Sequence, residues 1–407
     1  MNVVKHILVA YLSLVALFTV ALVGAFSIPS RVIEDNVRQS VRQVIDDGEV
    51  FSARVGEVNP LAVDVFSDCL LLGIAYCADS DHPLQAAMDA AFMMQDGSTI
   101  EGAQLMMDGT VADKPPLTVY SRYWHGNQVA LRPLLCVATV RTIRWINAVL
   151  LAALLLALAA ALWRRVGRGE ALAICLSLLA VMVPTVPWCM NMVPTFYIAL
   201  VSSLLILWRP SVIDGTRALT LFFVIGGLTA FFDLLTTPLV AMAVPAAVGI
   251  LCRKPARPWR ELVLMALAWL GGYALLWASK WALAGLVTGY SALDDALGAI
   301  RMRTVGVDEG EYMRWCLDKT VMMVAAVCCV VAAVSILFGR SWRCLRDHVW
   351  LLLLALAPVA WALVLLQHTW HHLFFTWRTG VVLIMAVALF WHRTLSLRHP
   401  LSVFKRR

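Results

Sequence analysis

Charge is what this chain has least of. Only 14% of its 407 residues are Asp, Glu, Lys or Arg, against 61% hydrophobic, and the mean hydropathy is +0.78. That balance excludes an ordinary water-soluble globule. The short patterns that mark several enzyme classes are also absent. There is no P-loop, GxSxG, GxGxxG, HExxH or CxxC, so nucleotide hydrolysis, serine hydrolysis through a nucleophile elbow and dinucleotide binding find no support. Neither a repeat of fixed period nor an inverted repeat of the transporter kind is visible. The ten cysteines are scattered. Cys69 and Cys77, the pair in the polar part of the chain, would stand about two turns apart on a helix, which argues against a disulfide. The net charge of +7 does not imply nucleic acid, because the basic residues fall in short clusters between apolar runs, where membrane topology accounts for them.

What is present is a series of apolar runs, most close to the roughly 20 residues that span a hydrocarbon core. The first, from Ile7 to Phe26 behind Lys5 and His6, is too long for a signal-peptide core and reads as a retained helix with a cytoplasmic N-terminus. Nine more are predicted near 144–163, 171–189, 193–208, 218–235, 237–252, 261–279, 320–338, 349–366 and 379–392. Alternate connections, among them WRRVGR (Trp163 to Arg168), CRKPARPWR (Cys252 to Arg260), GRSWRCLRD (Gly339 to Asp347) and the tail KRR, each carry at least two Arg or Lys and therefore lie inside. The expectation is an all-α polytopic protein of the plasma membrane. It has about ten transmembrane helices, a single integral membrane domain over 1–407 and both termini cytoplasmic.

The long interruption at 28–143 holds 15 of the 26 acidic residues and eight basic ones, which places it on the exoplasmic side. Within it Ile33, Val37, Val41 and Val44 share one face, as expected of a helix lying at the membrane interface. A second amphipathic run covers Pro83 to Met94, and 97–116 reads as a mobile bend. A second exoplasmic loop is predicted at 279–319.

Chemistry is expected where ionisable residues gather at one membrane face. Asp64 and Asp68 in VDVFSDC lie four apart, so on a helix both point the same way. Two carboxylates that close raise one pKa or share a cation. Interfacial anchoring explains the aromatics of YSRYWHG, including Tyr123, but explains Arg122 and His125 poorly; a guanidinium and an imidazole suit a phosphate or sugar hydroxyls. Asp233 in FFDLLTTP needs a partner such as Arg122, Lys280 or Arg378. Lys280 in WASKWALA either snorkels or faces a lipid phosphate. QHTWHHLFFTWR gathers His368, His371, His372 and Arg378 in one turn. The i, i+4 pair His368 and His372 has metal-ligand spacing, and Arg378 suits a phosphate clamp. These residues, with Asp68, Arg122, Asp233, Lys280 and Arg378 at their centre, are expected to converge on one exoplasmic cavity.

The order of parts resembles the GT-C superfamily of integral membrane glycosyltransferases: a first helix, a long acidic exoplasmic loop with interfacial helices, a second helix, many further spans and a later exoplasmic loop. The run from His125 through LRPLL to IRWINAVLLAALL is similar to the passage from first loop to second helix in sugar transferases of that superfamily. FFDLLTTPLV and RYWHG are also similar to segments of bacterial membrane proteins. The resemblance implies a lipid-linked (polyprenyl-phosphate) sugar donor, inverting transfer to an exoplasmic acceptor, and a first-loop aspartate as base or metal ligand. Here that role falls on Asp68 or Asp64, with the donor phosphate on Arg378, Lys280 or Arg122. A divalent cation (Mg or Mn) held by Asp64, Asp68 or His368 stays open. Members of the superfamily carry an acidic residue close behind the first helix, where this chain has Glu34 and Asp35, and its one DxD in the loop is Asp79 to Asp81. A lipid or solute transporter or flippase, and a polysaccharide polymerase or ligase, remain as alternatives.

Overall fold

The computed structural model describes residues 3–50, 63–108, 117–305, 314–315, 317–319, 322 and 347–394. The expected span at 320–338, the basic connection after it and the tail lie almost wholly outside them. Helices α1 to α13 run Val3–Phe26, Ser30–Val50, Val65–Cys77, Pro83–Asp89, Thr99–Asp108, Gln128–Leu135, Val140–Arg165, Arg168–Ala180, Val193–Trp208, Thr216–Phe232, Pro238–Arg253, Pro258–Thr288 and Ala292–Val305. After these come α14 (Val349–Val364), α15 (Leu366–His371), α16 (Leu373–Thr376) and α17 (Gly380–Thr394). Among the described residues the only β pairing is two isolated bridges. Four stretches are long and apolar enough to cross a membrane: α1, α7, α12 and Leu373–Arg393. Shorter apolar helices are α3, α9, α10, α11 and α14.

The bundle centres on α11, whose residues from Pro238 to Leu251 are all buried. A helix apolar all round belongs inside other helices. Beside it α10 and α12 touch backbone to backbone. A Cβ on Gly226 would fall 2.0 Å from the Trp269 carbonyl oxygen, and one on Gly272 would fall 2.0 Å from that of Phe223. Small residues at a crossing permit this approach where lipid supplies no hydrophobic drive between helices. Polar contacts tie the helix ends in two sets. Arg253 meets Asp214 at 3.1 Å, and Arg393 meets Glu170 at 2.9 Å. These pairs draw on the basic connections between helices. At the other set of ends the long loop packs.

That loop forms a helical layer with its own core. The stripe Ile33, Val37, Val41 and Val44 is wholly buried, but against Leu71, Leu72, Ala103, Met106, Leu135 and Ile143 rather than lying on a membrane interface. An apolar stripe specifies burial and leaves its partner open, and here protein supplied it. Beside the stripe α2 caps α7 in trans. Ser40 Oγ accepts from Val140 N at 2.9 Å and Gln43 Oε1 from Arg141 N at 3.0 Å, satisfying two of the donors that a helix start leaves open. Arg132 of α6 pins the layer to the bundle. Fully buried, it donates Nε to Ala25 O at 2.9 Å and its two terminal nitrogens to the carbonyls of Ala75 and Ile28.

Two expectations for this layer change. The amphipathic run from Pro83 is helical only to Asp89, because Ala90 turns left-handed at φ 45° and the chain then pairs Phe92 with Thr118. The expected bend at 97–116 contains α5. Ser98 Oγ accepts from Glu101 N at 3.2 Å, the Ser-x-x-Glu start of a capping box.

Candidate functional site

The span expected at 171–189 is broken. Helix α8 stops at Ala180, Met182 is left-handed at φ 55°, and a short 3-10 turn covers Val183–Trp188. Pro184 and Pro187 in VPTVPW remove donors that an α-helix would need there. Non-helical backbone at such depth is tolerated where protein or a cavity surrounds it, and residues 181–192 are where the candidate charges meet.

Asp64 caps the N-terminus of α3 by accepting from Ser67 N at 3.0 Å, and its second oxygen accepts from Asn191 Nδ2 at 2.8 Å. Asp68, on the first turn, accepts from Met190 N at 3.0 Å and from Arg144 Nη2 at 2.8 Å. Arg144 also meets Asp47 at 2.6 Å. Both loop aspartates are buried. Burial raises the Asp64 carboxyl above its ordinary range, and pushes Asp68 up to about 7 against the opposing pull of Arg144. The expected base, Asp68, is therefore one member of an Asp47–Arg144–Asp68 network that joins α2, α3 and α7. Asp64 is hydrogen-bonded only to neutral groups, and the guanidinium of Arg378 lies within electrostatic reach of it. Arg378 itself donates to Thr185 Oγ1 at 3.1 Å and Phe374 O at 3.3 Å. Charges from the loop, from α7 and from the 366–378 turn thus assemble around one broken segment.

The remaining candidates do not join this cluster directly. Arg122 is ion-paired to Asp295 at 2.8 Å and lies over the Tyr120 ring at 4.3 Å. Lys280 does not end its helix, since α12 runs on to Thr288; it is fully buried and donates to the carbonyls of Ala87 and Met88, both at 2.9 Å. It caps the C-terminus of α4, where carbonyls lack intrahelical partners. Asp233 is held by no cation of the proposed set. Its oxygens accept from Thr195 Oγ1 at 3.2 Å, from Thr236 N at 3.0 Å and from the Thr236 hydroxyl. In DLLT the carboxylate caps the turn that follows it, as Asp does before a helix start. His125 is buried at a left-handed φ of 56°, and its Nε2 meets Tyr120 O at 3.1 Å. Burial, with Lys280 nearby, lowers it to about 3, so the ring is neutral and cannot grip an anion by charge. Tyr123 is also buried, and is taken up below.

In the histidine turn His368 Nε2 meets Leu235 O at 2.9 Å, and the His372 ring stacks on Phe375 at 5.2 Å between centroids. His371 packs edge-on against His372 at 4.9 Å. Asp64, Asp68 and His368 are not gathered as a ligand set; among the described residues no group of three or more His, Cys, Asp and Glu is placed to hold a metal ion.

An apolar cavity of about 280 Å³ adjoins the charged cluster, walled by Leu71, Leu134, Met190, Val193 and Ile198 and bearing Asn127, Asn147 and Tyr197. Both polar atoms of the buried Asn127 amide lack a hydrogen-bond partner. An apolar pocket with a few convergent polar groups is the usual form of a small-molecule site.

Sequence reasoning missed Arg144 and Asn191. An Arg in the first turns of an apolar helix is a signal of a buried partner; nothing local marks Asn191. Among the described residues the membrane character rests on the four long apolar stretches, and no protein family, curated protein or solved structure compared with the chain matches it.

Proposed function

We propose that the chain is a membrane glycosyltransferase of GT-C type, moving a sugar from a polyprenyl-phosphate donor to an exoplasmic acceptor, with Asp64 as the general base. In this reading the chain crosses the plasma membrane about ten times, both termini are cytoplasmic, and 28–143 and 279–319 lie outside. The observation that carries it is Asp64 itself. It is a buried carboxylate with neutral hydrogen-bond partners and a raised affinity for protons, near the guanidinium of Arg378 and at the same broken segment whose Met190 lines the apolar cavity together with Val193 of α9.

Each part has a task. The cavity takes the first isoprene units of the donor. Arg378, always charged, holds the phosphate and stabilises the charge that grows on it as the glycosidic bond breaks. Asp64 removes the proton of the acceptor hydroxyl as that oxygen attacks the anomeric carbon from the opposite side, which inverts it. Asn191 orients the carboxylate. Asp68 keeps α3 in register through Arg144 and is a positioning residue.

The test is transfer of radiolabelled sugar from a polyprenyl-phosphate donor by the purified chain in proteoliposomes. Asp64→Asn should lower the rate by about 10²- to 10⁴-fold, the range of a lost general base, while melting close to wild type. A folded Asp64→Asn that transfers at the wild-type rate removes Asp64 from the chemistry. Wild-type protein that moves the lipid between leaflets without transferring sugar identifies a flippase instead.

A further inference from the structure

A second group of buried polar atoms lies outside the Asp64 cluster. The hydroxyl of Tyr273 and the indole nitrogen of Trp277 are buried and have no hydrogen-bond partner, and the buried Tyr123 hydroxyl has the Arg303 guanidinium beside it. Tyr123 is 1% exposed and Tyr273 6%. Their rings form one wall, with Tyr123 edge-on to Trp277 at 5.4 Å and Tyr273 against Trp277 at 5.3 Å between centroids. Unpartnered polar atoms at such depth are costly, so groups of them call for an explanation.

Two guanidiniums flank Tyr123, each with its central carbon 5.8 Å from the ring centroid. Arg122 is neutralised by Asp295. Arg303, on α13, has no ion pair with any acidic group among the described residues, and its electrostatic neighbours are Tyr123, Tyr120 and Arg122. It also lies within reach of Tyr273, His368 and His372. Burial lowers His368 to about 4 and His372 to about 3, so both rings are neutral at pH 7 and supply no anion. Among the described residues Asp233 is the one carboxylate within reach of Tyr273, and its oxygens are occupied by Thr195 and Thr236.

We propose that Arg303, Tyr123, Tyr273 and Trp277 form a binding site for a phosphate-type oxyanion. The chemistry of the set selects the ligand. A guanidinium and an indole N–H only donate, and two phenol hydroxyls beside a cation turn their protons outward to any anion that arrives. A ligand presenting hydroxyls alone would leave the indole and guanidinium hydrogens competing for weak acceptors. A tetrahedral oxyanion offers several acceptor oxygens and a negative charge, which no described residue pairs with Arg303. Burial raises the Tyr123 phenol above its ordinary range, which keeps it a proton donor at neutral pH. The oxyanion belongs either to a lipid headgroup or to a free phosphate. The site does not rest on the transfer reaction proposed for Asp64, and binding is measured without any sugar present.

The experiment titrates the full chain in phosphate-free maltoside micelles with inorganic phosphate and, separately, with farnesyl phosphate, at constant ionic strength set by chloride. Tryptophan emission and melting temperature are the readouts. Wild type should respond saturably to at least one probe. Arg303→Gln should weaken binding at least 10-fold, Tyr123→Phe and Tyr273→Phe several-fold each, and Arg257→Gln not at all. Binding of farnesyl phosphate alone assigns a lipid headgroup; binding of inorganic phosphate assigns a free oxyanion. The site is refuted by a wild type that answers neither probe, or by an Arg303→Gln that melts like wild type and binds as tightly. Should Arg303→Gln fold poorly, Tyr273→Phe decides: wild-type affinity overturns the proposal and weakened affinity upholds it.

Discussion

Arg144 offers the sharpest way to tell a positioning carboxylate from a reacting one. Its side chain is 1% exposed, that of Asp68 is 0% and that of Asp47 18%. Replacing Arg144 by Met strands the Asp68 carboxylate in a site without water, and breaking a buried pair from one side costs about 3–5 kcal/mol. Replacing Asp68 by Asn leaves Arg144 still paired with Asp47 and keeps an acceptor for Met190 N, so the loss should be about 1.5–3 kcal/mol, the worth of a hydrogen bond to a charged group. In the double variant no charge is stranded at position 68, and the two losses should fall short of their sum by about 2 kcal/mol. A pH signature accompanies this. Arg144 is what lowers Asp68 against burial, so in Arg144→Met the folded-state pKa rises further. The folded variant then binds more protons than the unfolded chain, and its stability falls as pH rises through that range. The deficit relative to wild type should therefore widen from pH 5 to pH 8. Thermal or detergent-driven unfolding of the three variants provides the numbers. Additive losses, or a deficit that ignores pH, would refute the assignment of Asp68 to this network.

His125 titrates in the opposite sense. Its folded pKa of about 3 lies below the ordinary histidine value of 6.5, so its stability contribution is present above 6.5 and is lost as pH falls towards 3. From pH 7 to pH 5 this amounts to about 2 kcal/mol, and His125→Asn should remove that part of the acid sensitivity; an unchanged slope would show that the ring titrates normally. At the α10–α12 crossing, Gly226→Ala should cost about 1–3 kcal/mol or more through overpacking against backbone. Gly271→Ala, where a Cβ meets nothing within 4 Å, should be neutral or stabilising by up to about 1 kcal/mol. Equal melting temperatures for those two variants would rule out the close crossing.

Several apolar runs were legible as helices, because a continuous apolar run of that length bounded by Pro, Gly or charge has few other backbone solutions. The predicted 193–208 is α9 to the residue, and 237–252 differs from α11 by one residue at each end. Local chemistry was present but went unread: Ser98 and Glu101 mark the start of α5 where a bend was expected, and the two prolines of VPTVPW mark a break in a span expected to be continuous. The pairing of charges was not. Arg122 with Asp295, Lys280 with the carbonyls of Ala87 and Met88, and Asp68 with Arg144 join positions 173, 193, 192 and 76 apart. No periodicity encodes which of several buried charges will meet. Arg303 escaped notice for the same reason, since only the fold sets it beside Tyr123.

The grip of Arg132 on Ala25, Ile28 and Ala75 sets an order on biosynthesis. When the first helix enters the bilayer, its carbonyls at Ala25 and Ile28 have no guanidinium to accept from until the ribosome has made residue 132, more than a hundred codons later. Until then that end of the helix is solvated by water and headgroups, and the helices of the loop have no anchor to close on. A nascent chain halted before Arg132 is expected to carry a first helix on which the loop has not yet closed. Arg132 therefore sets the earliest point at which those carbonyls gain their partner, ahead of the ties that Arg144, Asn191 and Lys280 add to the loop later.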